Sequence, residues 1–467
     1  MTKYSEIANS LPPVYPVNLL GDVKNLLSGK NLSIIVLDDD PTGTQTVYGV
    51  PVLTVWDLKQ IEFELVNKTE LFFILTNSRG LNAEDANALS FQIGQNIRVA
   101  SQKTGRNTLV ISRGDSTLRG HYPNEVIALG QGLDIDKPIH LLIPAFFQGG
   151  RFTVNDIHWV RDGNTLLPVA ETPYARDNTF GYRSSNLKDF VEEKTNGKVK
   201  SKDVFSISIE DIRIGGPAKV TALLNSLKKG SVCIVNAFDQ SDLDVFARGF
   251  YNSSIMQKGV LLRTAASIIP SLAGLEQKAP LESKDLTLRG KGGIIAVGSY
   301  VPRTTEQLEY LKKHLPLDYV EIDVQKILNR DLCDEEIIRV GNEMNRVLEK
   351  DKLVVVFTSR EIISGVSGED SLSIVNRISQ GMVSCINSIE IMPRFFIAKG
   401  GNTSSDIATK ALKVNRPFVI GQILPGVPLW QLNDCEKFPG LAYVPFPGNI
   451  GDETYLYQAV AKFMNAN

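Results

Sequence analysis

Short continuous apolar runs, each broken off by a loop of glycines, hydroxyls and charges, constrain this chain more than any other feature. Leu32-Ser33-Ile34-Ile35-Val36-Leu37 runs into Asp38-Asp39-Asp40-Pro41-Thr42-Gly43-Thr44, and Leu71-Phe72-Phe73-Ile74-Leu75 runs into Thr76-Asn77-Ser78-Arg79-Gly80. Thr108–Ile111, Ile139–Ile143, Val232–Val235, Ile294–Val297, Val354–Phe357 and Phe395–Ala398 repeat the pattern. Such runs lack the alternation of a half-exposed strand and read as strands buried on both faces, as parallel sheets require. Helix-length segments separate them, which predicts an α/β fold. At 467 residues the chain can bury more than one core. The polar stretch from Gly274 to Gly293 reads as a domain boundary. The expectation is an arm over 1–31 and two domains over 32–280 and 281–467, each a mainly parallel sheet flanked by helices.

Charge and special residues narrow the function classes. Fifty Lys and Arg nearly cancel 52 Asp and Glu, for a net charge of −2, so nothing suggests a nucleic-acid or anionic-membrane partner. Cys233, Cys333, Cys385 and Cys435 form no C-x-x-C pair, and the four histidines show no H-x-x-x-H spacing. No run approaches the ~20 apolar residues of a membrane span, and no basic-then-apolar leader opens the chain, so the reading is a cytoplasmic protein. Ser10-Leu11-Pro12-Pro13-Val14-Tyr15-Pro16 cannot be helical and predicts an arm lying over the domain, with a short helix near Leu19 to Leu27; such an arm leaves room for a homodimer.

Ligands of open α/β sheets sit at the carboxyl ends of the strands. There the first half places three adjacent aspartates, more than a helix cap needs, then Arg79, Arg113, Asp115, Ser116, Arg119 and Arg151. Clustered guanidinium forks predict a small anionic substrate. Asn82-Ala83-Glu84-Asp85 predicts a capped helix with acids in its first turn. The second half places Gly298-Ser299-Tyr300 and Lys399-Gly400-Gly401-Asn402-Thr403-Ser404 after its strands, the latter opening a helix, and Pro447-Gly448-Asn449-Ile450-Gly451 near the end. Paired glycines at a helix start let backbone N–H groups approach an anion. Neither G-x-x-x-x-G-K-[ST] nor G-x-G-x-x-G occurs.

Two enzyme readings compete. Asp38-Asp39-Asp40-Pro41-Thr42 resembles the D-x-D-x-T loop of haloacid dehalogenase-like phosphatases, and Thr76-Asn77 their second motif, but their later lysine and acid pair find no counterpart. The ordered set resembles the four-carbon acid sugar kinases instead. Asp39-Asp40-Pro41-Thr42-Gly43-Thr44 is similar to their D-D-L-T-G-A loop, Asn77-Ser78-Arg79 to D-S-R, and Asp115-Ser116-Thr117-Leu118-Arg119-Gly120 to D-S-T-L-R-G. Pro144-Ala145-Phe146, Gly150-Arg151, Glu171-Thr172 and Ala175-Arg176-Asp177 continue the order. Gly298-Ser299 with Thr304 and Gln307, then Gly400–Ser404 and Pro447–Gly451, resemble the family's nucleotide motifs. Pro41 in place of Leu, and Tyr300-Val301-Pro302 in place of small hydroxyl residues, mark a divergent branch.

The resemblance implies an ATP-dependent kinase acting on a hydroxyl of a small sugar acid such as a threonate or erythronate, with the active site in the interdomain cleft. It implies Asp39 and Asp115 as catalytic residues, and Asp40, Arg79, Ser116, Arg119 and Arg151 as the sugar-acid site in the first domain. Ser299, Gly400, Gly401, Asn402, Thr403 and Gly448 would bind ATP in the second. Mg2+ is expected on the nucleotide, with no dedicated metal motif. A non-catalytic binder of nucleotide or sugar acid is a third reading.

Overall fold

The computed structural model describes residues 2–360 and 368–466. The chain divides into two compact units. The first takes the residues through Val47 together with Val55–Gln277, and the second takes Tyr48–Thr54 and the chain from Lys278 onward.

In the first unit, Leu32–Asp38 lies in a wholly parallel sheet, between Leu71–Leu75 and Asn107–Arg113. Val260–Thr264, Ile139–Ile143, Val232–Val235 and Phe205–Ile207 extend it beyond Asn107–Arg113. Every residue of Leu32–Asp38 is buried, as expected of a strand covered on both faces. Because the strands run the same way, their loops open at one edge: Asp38 pairs in register with Leu75 and Arg113, and Arg113 with Thr264. The helix Ala83–Thr104 begins where the sequence predicts, with the Asn82 side chain accepting from the Asp85 N–H at 2.9 Å. Gly105 ends it in the left-handed region.

The arm packs on its own chain. Thr2–Lys3 adds to a small antiparallel sheet by pairing with Thr165–Pro168. Tyr4 stacks on Phe238 at 5.1 Å, and the Pro12 carbonyl accepts from Arg213 at 2.8 Å. A helix follows over Leu20–Leu27.

The second unit corrects the expectation of a mainly parallel sheet, because its sheet is mixed. Asp318–Ile322, Leu353–Thr358, Gly293–Val297, Phe395–Lys399 and Leu441–Phe446 are parallel neighbours. Val427–Cys435 pairs antiparallel with Leu441–Phe446, Val414–Leu424 with Val427–Cys435, and Val50–Leu53 with Val414–Leu424. A Pro425-Gly426 turn produces the reversal: Gly426 takes φ +77° and its N–H donates to the Gln422 side chain at 2.6 Å. The strand at Val50–Leu53 thus belongs to the second unit although the chain reaches it between two first-unit strands. Among the described residues no helix is long and apolar enough to cross a membrane.

Candidate functional site

The acid loop closes on itself before it offers anything to a ligand. Asp40 caps the short helical turn Pro41–Thr44, accepting from the Thr42 N–H at 2.8 Å and its hydroxyl at 2.6 Å. Asp38 accepts from the Arg113 guanidinium at 3.0 Å and from the Asp40 N–H at 3.2 Å. Its other oxygen lies against Gly43, where a Cβ would come within 1.7 Å. Burial pushes the Asp38 carboxyl up to about 7, with Arg113 pulling the other way and Asp39 and Asp40 adding repulsion. A carboxyl enclosed in this way orients the loop; one oxygen is held by Arg113, and the other, without a hydrogen-bond partner, is packed against Gly43, which leaves a nucleophile little room.

Asp39 differs from both neighbours. Its side chain is 2% exposed and neither carboxylate oxygen has a hydrogen-bond partner. Cations surround it without touching it: Arg113 at 3.8 Å and Arg263 at 3.9 Å. Burial raises its pKa, while Arg79, Arg263 and Arg113 pull it down. A buried carboxylate without a donor is an acceptor aimed at something the chain does not supply.

Four predicted residues form one network around it. Arg79 pairs with Asp40 and lies 3.6 Å from Asp115. Asp115 accepts from Arg119 Nε at 2.7 Å and from the Thr117 hydroxyl. Burial would raise the Asp115 pKa, but Arg119 and Arg79 outweigh it and hold the group well below the usual carboxylate range. The turn carrying Asp115 is tight: Leu118 adopts φ +67° and donates its N–H to the Asp115 carbonyl at 3.1 Å. Ser116 is placed by its backbone, its carbonyl accepting from His158 Nε2 at 2.7 Å. Burial lowers the His158 pKa to about 4, so the imidazole is neutral and its Nδ1 accepts from Thr153 at 3.0 Å. Arg151 joins through Tyr174, whose ring lies 5.2 Å from the Arg119 guanidinium and 5.8 Å from that of Arg151.

Two members of this network were not selected from the sequence. Arg263, in the strand Val260–Thr264, donates to Ser112 at 2.9 Å and Glu125 at 3.2 Å. Gly114 and Gly120 lie flat on its guanidinium, where a Cβ would come within 2.1 and 2.8 Å. Glu125 accepts from Ser78 at 2.5 Å, tying the Arg79 loop to the same cluster. Arg113, one of the strand-end arginines of the sequence, donates to Asp38 at 3.0 Å and lies 3.8 Å from Asp39. The available signal for Arg263 was a charge inside an otherwise apolar strand.

In the second unit three predicted pieces converge. Gly400 takes φ +121°, and a Cβ there would lie 2.8 Å from Ser299 Cβ and 3.2 Å from Thr403 Oγ1. A Cβ on Gly448 would lie 3.3 Å from Ser299 Oγ, and the Gly448 carbonyl accepts from Thr304 at 2.9 Å. Gln307 donates to the carbonyls of Ile450 and Asp452, at 2.9 and 2.7 Å. Gly401 opens the helix Gly401–Asp406 and Asn402 is exposed. Lys399, wholly buried, fastens the two glycine turns together by donating to the Pro447 and Gly448 carbonyls. Burial drives its pKa well below lysine's usual range. Among the described residues no three His, Cys, Asp or Glu side chains cluster as a metal site.

Residues 34–272 match the family model of a sugar-binding N-terminal domain, and residues 294–456 that of a nucleotide-binding C-terminal domain. A D-erythronate kinase of Heliobacterium modesticaldum (strain ATCC 51547 / Ice1) is 26% identical over 337 residues, 70% of this chain and 71% of that protein. Two solved structures share the fold. One is a Salmonella typhimurium LT2 protein given a provisional tRNA synthase assignment, 18% identical with a TM-score of 0.64 over 92% of this chain and 99% of that one. The other is a Haemophilus influenzae protein of a domain-of-unknown-function family, 19% identical with a TM-score of 0.60 over 92% of this chain and 100% of that one. With the acid and arginine cluster inside the first matched region and the glycine turns inside the second, the chain belongs to the family that joins a sugar-binding N-terminal domain to a nucleotide-binding C-terminal domain, related to the four-carbon acid sugar kinases.

Proposed function

We propose that the protein is an ATP-dependent kinase that phosphorylates a hydroxyl of a small sugar acid, with a four-carbon acid of the erythronate or threonate type as the first substrate to test. The observation that carries this reading is Asp39: a buried carboxylate with both oxygens unpartnered, ringed by arginines. A substrate hydroxyl is the donor such a group lacks, and accepting its proton is the one covalent task phosphoryl transfer asks of a side chain. Burial raises the affinity of Asp39 for that proton. Asp115 is held ionised by Arg119 and Arg79, so its role is to fix those two arginines. Arg79, Arg119 and Arg151 supply positive charge for the substrate carboxylate, with Asp40 and Ser116 beside them.

On the nucleotide side, Gly400, Gly401, Asn402 and Thr403 would offer backbone N–H groups to phosphates, with Ser299 and Gly448 completing the cradle. Mg2+ would arrive with the nucleotide, held mainly by its phosphates and by water with one or two carboxylates. Bound there, Mg2+ would neutralise charge on the transferring group. The relative from Heliobacterium modesticaldum supports an acid of this size.

The test is ADP release from MgATP in the presence of three- to six-carbon sugar acids, with phosphate release from sugar phosphates assayed in parallel. Acid-dependent ADP formation is the expected result. Phosphate release without ATP would replace this reading with a phosphatase, and ligand-induced stabilisation without turnover would replace it with a binder.

A further inference from the structure

The second unit carries a group of hydrogen-bond donors that neither the family motifs nor the glycine cradle uses. Arg360 follows the strand Leu353–Thr358, and its Nε and Nη1 are shielded from solvent without a partner among the described residues. The hydroxyls of Tyr300 and Thr358 are likewise buried and unpartnered. Tyr300 lies beside the arginine, its ring centroid 5.5 Å from the guanidinium carbon.

Their place in the fold is fixed by the sheet. Gly293–Val297 lies between Leu353–Thr358 and Phe395–Lys399, all parallel, with Val297 in register with both Phe357 and Lys399. Ser299 and Tyr300, Ser359 and Arg360, and Gly400 and Gly401 therefore leave adjacent strands at the same edge. The backbone before Arg360 is anchored, since the Ser359 N–H and hydroxyl both donate to the Ile322 carbonyl at 3.1 Å. The guanidinium is anchored as well: Nη2 donates to Thr305 Oγ1 at 2.5 Å, and the preceding residue, Thr304, holds the Gly448 carbonyl.

We infer that Arg360, with Tyr300 and Thr358, forms an oxyanion subsite for the terminal phosphates of the nucleotide, beside the glycine cradle. The chemistry of the group selects the ligand. An arginine only donates and the two hydroxyls can donate, so the missing partner is an acceptor, and a half-buried cation with two shielded N–H groups favours one that is charged. Among the described residues the acid that influences Arg360 is Glu309, which pairs with Lys312 at 3.2 Å. Burial lowers the Arg360 pKa, a penalty that an arriving phosphate would remove.

The inference rests on the nucleotide reading of this unit, and the experiment separates the two. Binding of MgATP, MgADP and AMP is measured by calorimetry for the wild type, Arg360→Gln, Arg360→Lys and Thr305→Val. Arg360→Gln is expected to weaken MgATP by about ten- to a hundredfold while AMP changes by less than about twofold, a loss set by charge-assisted hydrogen bonds to the outer phosphates. Arg360→Lys should recover part of it as a point charge, and Thr305→Val, which keeps the arginine but frees it, should lose less. Unchanged MgATP affinity in Arg360→Gln overturns the subsite alone. Equal losses of MgATP and AMP make the arginine structural and also overturn it. A wild type that binds none of the three nucleotides overturns the nucleotide reading and the subsite together.

Discussion

Asp39 and its two neighbours carry the same side chain in three electrostatic settings, and the differences come from contacts a few ångströms away. Asp40 is saturated by Thr42 and Arg79, Asp38 is sealed by Arg113 and Gly43, and Asp39 is left unpartnered among cations. Replacing Asp39 by Asn should lower kcat by about a thousandfold with little change in KM for the acid, because the base is lost and the arginines remain. In the wild type, kcat should rise with pH through the raised Asp39 pKa, since the ionised form is the base. A flat acid limb in the kinetic profile would count against Asp39. Asp38 makes a separate prediction about stability. Its folded carboxyl holds a proton up to about 7, against 3.8 in the unfolded chain, so the folded state binds more protons in that window and stability falls as pH rises through it. Urea denaturation at pH 5 and pH 8 should show a smaller fall in Asp38→Asn than in the wild type; an equal fall would sink the assignment.

At the scale of elements, two sets of parallel strands present the loops. The Leu32–Asp38 strand and its neighbours bring the acid loop, the Arg79 turn and the Asp115 turn to one edge, because parallel register fixes where each strand stops. Gly293–Val297 and Phe395–Lys399 do the same for Ser299 and Gly400. The Gly400 turn is the element with least tolerance. Its backbone is at φ +121° and a Cβ would meet Ser299 at 2.8 Å. Gly400→Ala should therefore weaken nucleotide binding by at least about tenfold, the strain of a side chain in that conformation being of the order of 1–3 kcal/mol. Calorimetric titration with MgATP checks it, and wild-type affinity would refute the cradle. Asp115→Asn acts on the other unit: Arg79 and Arg119 lose the carboxylate they share, and turnover should collapse in a protein that still folds, as read by activity alongside circular dichroism.

For the whole molecule, the two ligands should leave separable signatures. A ligand at about one hundred times its Kd stabilises the folded state by roughly 2.7 kcal/mol. Thermal shifts should show Gly400→Ala losing the MgATP response but keeping that to the sugar acid, and Asp115→Asn the reverse; both responses vanishing in both variants would contradict a division of labour between the units. Much of this was legible along the chain. The buried strands, the Asn82 cap, the acid loop and the glycine turns are local patterns, since burial on both faces demands continuous apolar residues and a ligand edge demands polar loops. The second sheet was misjudged because the hairpin Val414–Cys435 alternates only partly and its reversal depends on one Pro-Gly turn. Arg263, Glu125 and Arg360 were missed for a different reason. A lone charge in a sequence is indistinguishable from a surface charge until its surroundings are known, and the partners of Arg263 lie 138 and 151 residues away. The sequence by itself therefore determined which strands form and which of their ends open into polar, glycine-rich loops, because those follow from local apolar patterning and turn residues. Only the tertiary structure decided which aspartate is left without a partner and which arginines enclose it, because desolvation and ion pairing depend on what is close in space.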